Sequence, residues 1–154
     1  EANSPSVHIR LVPNIGMTSR CFIFDIIDRD LTSSTKLKIG RYSERNVMSD
    51  RISFKSKVVS RTHAELWVDE DNKAFIKDVG SSSGTFVNRI RLSPSNVASL
   101  PTEVKDGDLI QLGVDYQGGL EPMYRSVKIR FEMNRNNKPN SFSRQAFQQL
   151  RQHL

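Results

Sequence analysis

The 154-residue chain has a single cysteine, Cys21, and three histidines, so an internal disulfide is excluded and no cluster forms at zinc-ligand spacing. An intracellular domain, cytoplasmic or nuclear, without metal or cofactor is expected. Long apolar runs are also lacking: none approaches the roughly 18 to 20 residues that span a bilayer. The opening Glu1-Ala2-Asn3-Ser4-Pro5 has neither the basic nor the apolar part of a signal peptide. No membrane partner is expected. A start at glutamate instead of methionine reads as a piece of a longer protein whose function is shared with other segments. Helical periodicity is scarce, which leaves strands to build the core. The formal net charge of +6 gives a surface that attracts anions, but sign alone does not choose between nucleic acid, acidic lipid and phosphoprotein.

Short runs that alternate, or are rich in β-branched and aromatic residues, read as strands. They are Val7 to Leu11, Cys21 to Ile27, Leu37 to Ile39, Ala64 to Val68, Ala74 to Lys77, Thr85 to Val87, Leu109 to Leu112 and Val127 to Phe131. The run Cys21 to Ile27 is nearly all apolar and suits a strand buried on both faces. Turn-forming segments separate the runs: Asp69-Glu70-Asp71-Asn72, Gly80-Ser81-Ser82-Ser83-Gly84, Lys105-Asp106-Gly107-Asp108 and Gly118-Gly119. Many strands without intervening helices predict an all-β sandwich. The segment Ser93 to Thr102, with two prolines, reads as an inserted loop. After a polar linker, Ser143 can cap one short C-terminal helix that carries Phe147 and Leu150. The expected organisation is a disordered leader over 1–6, the sandwich over 7–133, and linker plus helix over 134–154.

Three loop segments concentrate groups that suit a phosphate. Gly40-Arg41 follows one strand, Ser60-Arg61-Thr62-His63 enters another, and Ser81-Ser82-Ser83-Gly84-Thr85 joins two more. A tetrahedral dianion takes paired charge-assisted bonds from a guanidinium, together with hydroxyls and backbone amides from fixed turns. The ordered set of Gly40-Arg41, Ser60-Arg61-x-His63 and Asp78-x-Gly80-Ser81-Ser82-Ser83-Gly84-Thr85-Phe86-Val87-Asn88, with the later Asp106-Gly107-Asp108-x-Ile110-x-Leu112-Gly113, resembles the forkhead-associated (FHA) signature. The resemblance covers about residues 7 to 133 and implies a sandwich of about eleven strands whose loops at one end bind threonine-phosphorylated proteins. It implies that Arg41 and Ser60 contact the phosphate, that Arg61 contacts phosphate or peptide backbone, and that Ser82 completes the pocket. Gly40, His63, Gly84 and Asn88 match positions that shape loops. Ser83 stands where most members have an asparagine that holds the peptide backbone. That substitution, with the runs Phe54 to His63 and Gln111 to Gly119, resembles the FHA-RING mitotic checkpoint ubiquitin ligases of the Chfr and fungal Dma type. A RING takes about eight cysteine and histidine ligands, so ligase activity would reside outside this chain, which is expected to be a binding module and not an enzyme.

Each residue also has a plainer reading. Arg41 is a solvated charge, Ser60 a turn residue, His63 a packed histidine, and the serine run a flexible connection. Lys55 and Lys57 are either a solvated edge that blocks sheet pairing or cations that steer an acidic peptide. Ser60, His63 and Asp78 supply the residue types of a hydrolytic triad, but Ser60 precedes a strand and there is no G-x-S-x-G elbow. Nucleic-acid binding through the basic surface is the main alternative, with a plain scaffold beside it. Dispersed cations and aromatics at apolar strand positions argue against specific nucleic-acid recognition. Segments outside the sandwich, the terminal helix included, are candidate dimer contacts.

Overall fold

A computed structural model describes residues 6–14, 22–44 and 50–134. Eleven strands are found among them: β1 (Val7–Pro13), β2 (Ile27–Leu31), β3 (Lys36–Arg41), β4 (Arg51–Phe54), β5 (Ala64–Val68), β6 (Ala74–Asp78), β7 (Thr85–Val87), β8 (Ile90–Arg91), β9 (Thr102–Val104), β10 (Leu109–Leu112) and β11 (Val127–Met133). A six-stranded sheet runs β2-β1-β11-β10-β7-β8, and a five-stranded sheet runs β4-β3-β5-β6-β9. All neighbours are antiparallel except β3 and β4.

Period-two alternation builds the core as expected. Ile9 and Leu11 of β1, Leu37 and Ile39 of β3, Leu66 of β5, Ile76 of β6, Ile110 and Leu112 of β10 and Ile129 and Phe131 of β11 are buried between the sheets. The same alternation places Asp78, the last residue of β6, on the core side with Ala74 and Ile76. A carboxylate therefore lies buried at the end of the sandwich where the loop Gly80 to Gly84 begins.

The run from Cys21 to Ile27 does not form the doubly buried strand that its composition predicts. Residues 22–26 have no strand pairing and Ile23 is exposed, while Phe22 and Phe24 lean on the core and Phe24 meets the Phe54 ring edge-on at 5.0 Å. The strand is instead Ile27-Asp28-Arg29-Asp30-Leu31, whose two aspartates have partners on β1. His8 bonds both Asp28 and Asp30, and Arg10 Nε donates to Asp28. Cross-strand pairing of opposite charges makes a polar strand stable where an apolar run lacks a neighbour. The loop expected over Ser93 to Thr102 is present apart from one bridge, Val79 to Ala98, and Thr102, which opens β9. Cys21, most of the expected leader and the segment expected to form a C-terminal helix lie outside the described residues.

Candidate phosphate-binding cleft

The register of the strands brings the ends of β3, β4, β6 and β10 and the starts of β5 and β7 to one end of the sandwich. Backbone bonds tie the loops there to one another. Arg41 N–H donates to the Ser60 carbonyl (2.9 Å), His63 N–H to that of Ile39 (2.9 Å) and Gly113 N–H to that of Gly84 (2.8 Å). Gly40 is required by close approach: a Cβ there would lie 2.0 Å from the Arg61 carbonyl oxygen. Only a residue without a side chain lets β3 press so closely on the turn that presents Ser60 and Arg61.

His63 is the post beneath that turn. It is fully buried; its Nδ1 accepts from the Ser60 amide (3.0 Å) and its Nε2–H donates to the Gly84 carbonyl (2.8 Å). One neutral imidazole thus joins the second loop to the third. Burial pulls its pKa below the ordinary 6.5, against the opposing effects of the Gly84 carbonyl and the Asp78 carboxylate. Between that lowered value and 6.5 the unfolded chain binds a proton that the folded chain refuses, so acid favours unfolding. The stability held by His63 is complete above 6.5 and is lost as pH falls from there through the folded value. An NMR titration of the His63 ring should have its midpoint below 6.5, and an ordinary or raised midpoint would contradict the buried neutral state.

Asp78 organises the third loop. Its Oδ1 accepts the Gly80 and Ser81 amides, both at 2.7 Å, and its Oδ2 accepts the Ser81 and Thr85 hydroxyls. Burial alone would raise this carboxyl, but the Ser81 hydroxyl and amide, the Thr85 hydroxyl and the Gly80 amide outweigh it and hold the pKa below the usual range. The triad types Ser60, His63 and Asp78 are therefore near one another without forming a relay. Both His63 nitrogens face backbone groups, and Asp78 serves its own loop.

On this frame the hydroxyls of Ser60 and Ser82 lie 3.4 Å apart, and the Ser82 amide donates to Ser60 Oγ (3.2 Å). The Ser82 carbonyl is held from the other side by Ser95 Oγ (2.8 Å). Ser82, Ser83 and the half-buried Arg41 line an open cleft of about 620 Å³. Arg61 is exposed at the same turn, and its side chain is not part of the cleft lining. Gly84 has φ +101, which lets the loop turn into β7. Asn88 with Arg89 (φ 49 and 72) makes the two-residue β7–β8 turn, and Asn88 Oδ1 accepts the Leu109 amide (2.9 Å). Gly40, His63, Gly84 and Asn88 thus position loops.

The sequence did not single out the opposite wall as a site, although all of it but Tyr124 lies in a run marked for its resemblance. Val114, Asp115, Tyr116 and Gln117 follow β10, and Tyr124 closes a short 3-10 turn, Pro122–Tyr124. The Tyr116 and Tyr124 rings pack 5.4 Å apart, and Gly118 and Gly119 leave room for them. Asp115 anchors the wall through the Ser126 amide (2.8 Å) and Arg125 (3.3 Å). Lys57 reaches over the Tyr124 ring at 5.8 Å, which puts one of the two sequence-flagged lysines in the cleft. Lys55 sits over Tyr42 instead.

Ser83 is occupied in a way that the sequence did not reveal: its hydroxyl donates to the Val58 carbonyl, tying the third loop to the β4–β5 loop. The Gly113 backbone approaches both, and a Cβ there would lie 2.8 Å from the Val58 side chain and 3.0 Å from Ser83 Oγ. With its one proton committed, the Ser83 hydroxyl has no donor left for a ligand. Ser83→Ala should therefore weaken ligand binding by less than about 1 kcal/mol, the scale of one ordinary hydrogen bond. Calorimetry with one peptide checks this, and a tenfold loss in a folded variant would make Ser83 a principal contact.

Among the described residues no group of three or more histidine, cysteine, aspartate or glutamate side chains is placed to hold a metal, and no helix is long and apolar enough to cross a membrane. An arginine, serine hydroxyls and an aromatic wall thus meet around an open cleft at one end of the β-sandwich. A family model described as FHA domain matches residues 37–113, and the chain belongs to the FHA domain family. The E3 ubiquitin-protein ligase DMA2 of Saccharomyces cerevisiae is 46% identical over 92% of this chain and 30% of its own length. The probable E3 ubiquitin-protein ligase dma1 of Schizosaccharomyces pombe is 42% identical over 87% of this chain and 52% of its own. The chain thus spans about a third to a half of these relatives. The N-terminal FHA domain of S. cerevisiae Rad53p, solved with a phosphothreonine peptide, superposes with a TM-score of 0.58 at 18% identity, covering 82% of this chain and 93% of that one. The kinase-interacting FHA domain of the Arabidopsis phosphatase KAPP gives 0.58 at 25% identity, covering 83% and 94%.

Proposed function

We propose that this chain binds phosphothreonine in partner proteins, and that in the full-length protein it recruits them to a RING-type ubiquitin ligase acting in mitotic or cell-cycle checkpoint signalling. The observation that carries the binding role is the meeting of the Ser60 and Ser82 hydroxyls at the cleft that Arg41 lines. A planar guanidinium gives a phosphate two parallel charge-assisted bonds, and the two hydroxyls supply further donors. Arg61, exposed on the same turn, reaches either the phosphate or the peptide backbone. Val58, Val114 and Tyr116 offer apolar contact to ligand residues beyond the phosphothreonine. The ligase role is supported by the 46% identity to DMA2, and its chemistry would lie in the part of such proteins that this chain does not span.

The test is calorimetry with a threonine peptide in phosphorylated and unphosphorylated forms. Saturable binding of the first and none of the second is expected. Equal affinity for both would remove the phosphate from the account and leave charge attraction by the basic surface.

A further inference from the structure

Arg91 lies on β8, outside the cleft lining, and the phosphate-binding role does not use it. Its Nε donates to the Ser93 carbonyl (2.8 Å), its Nη2 lies 3.5 Å from the Ser82 carbonyl, and its guanidinium carbon sits 5.8 Å over the Phe86 ring. The Gly84 backbone packs against it, since a Cβ there would lie 2.8 Å from Nε. The side chain is therefore held in one orientation although the residue is exposed. Two of its five N–H donors are spent on carbonyls. Among the described residues no carboxylate pairs with it.

A brace for the Ser82 carbonyl does not by itself account for this arrangement. Ser95 already holds that carbonyl at 2.8 Å, and the Arg91 contact is at the outer limit of a hydrogen bond. What Arg91 adds is an ordered positive charge with free donors, attached to the residue whose hydroxyl meets Ser60. We infer that Arg91 is a second anion-reading position, which selects ligands carrying an acidic side chain or a second phosphate near the phosphothreonine. The inference rests on the phosphothreonine reading. An extended ligand advances about 3.3 to 3.6 Å per residue, so an anion that reaches Arg91 belongs to a position within a few residues of the phosphothreonine. Because the site is exposed, its effect is modest and screened by salt.

The experiment uses the whole chain and a phosphothreonine peptide with alanines on both sides. One aspartate, and in a second series one phosphoserine, is moved through positions −4 to +4. At one or two positions the aspartate should tighten binding about fivefold at low salt, and phosphoserine at least as much. Arg91→Gln should erase that advantage and leave the alanine-flanked peptide within about twofold of wild type, because Ser95 still holds Ser82. Arg91→Lys should keep much of it. If Arg91→Gln weakens every peptide equally, the residue is only a brace and the inference is overturned. It is overturned too if the acidic advantage is absent, or survives in Arg91→Gln. Failure of all phosphothreonine peptides to bind the folded chain would instead strike the phosphothreonine reading first, and this inference with it.

Discussion

Arg41→Ala should weaken phosphopeptide binding by about thirtyfold or more while the thermal midpoint stays where it is. The two halves of that expectation have separate causes. Arg41 closes β3, and the contact that anchors it is made by its backbone N–H to the Ser60 carbonyl, which alanine retains. The guanidinium lies in the cleft lining and outside the hydrophobic core, so its removal opens no cavity in the sandwich. For the ligand the loss is large. Truncating one partner of a hydrogen-bonded charge pair at an interface costs about 2 to 5 kcal/mol. At 1.4 kcal/mol per tenfold, a micromolar complex would fall to about 30 micromolar or far weaker. Arg41→Lys should recover only part, because an ammonium keeps the charge without the planar fork. Calorimetry for affinity and circular dichroism for folding are the checks. Near-wild-type affinity in a folded Arg41→Ala protein would remove the phosphate from this cleft.

The loops that carry the signature were legible because each residue type answers a local requirement. Gly40 is forced by the approach of the Arg61 carbonyl, and Asn88 by a turn with positive φ. The alternation in β5, β6 and β11 was legible for the same kind of reason: burial on one face leaves a period of two. β2 was not, because its stability comes from Asp28 and Asp30 meeting His8 and Arg10, partners about twenty residues away that no local pattern displays. β8, two exposed residues long, has no pattern to read. The aromatic wall was hidden differently. Tyr116 and Tyr124 read as ordinary loop aromatics until Gly118 and Gly119 are seen to seat them opposite Arg41. Ser83 shows the limit of a motif. Its departure from the common asparagine was visible, but that its hydroxyl is committed to Val58 depends on the close approach of Gly113.

Asp78→Ala should be the most damaging single change to the stability of the binding end. The alternation of β6 buries this carboxylate, and four donors converge on it: the amides of Gly80 and Ser81 and the hydroxyls of Ser81 and Thr85. Ser81 and Thr85 are themselves buried, so water does not readily replace the lost acceptor. Each buried donor left unsatisfied costs about 1 to 3 kcal/mol. Partial relaxation of the loop keeps the sum well below four full penalties, and a loss of about 3 to 5 kcal/mol is expected. Ser81 Oγ also accepts the Gly84 amide (3.0 Å), so the disturbance reaches the carbonyl on which His63 rests. Ser82 would then lose its setting, and phosphopeptide affinity should fall together with stability, unlike in Arg41→Ala. The wild-type carboxyl, held below its ordinary pKa, adds an acid signature. The unfolded chain takes up this proton first, so the stability is present above the unfolded value and is lost as pH falls through the folded one. Denaturant titrations at neutral pH and in acid should show a clear loss for Asp78→Ala at pH 7 that narrows in acid, where the wild-type carboxylate is itself protonated. A variant as stable as wild type at neutral pH would mean that the four donors find other acceptors, and that the third loop does not depend on this aspartate.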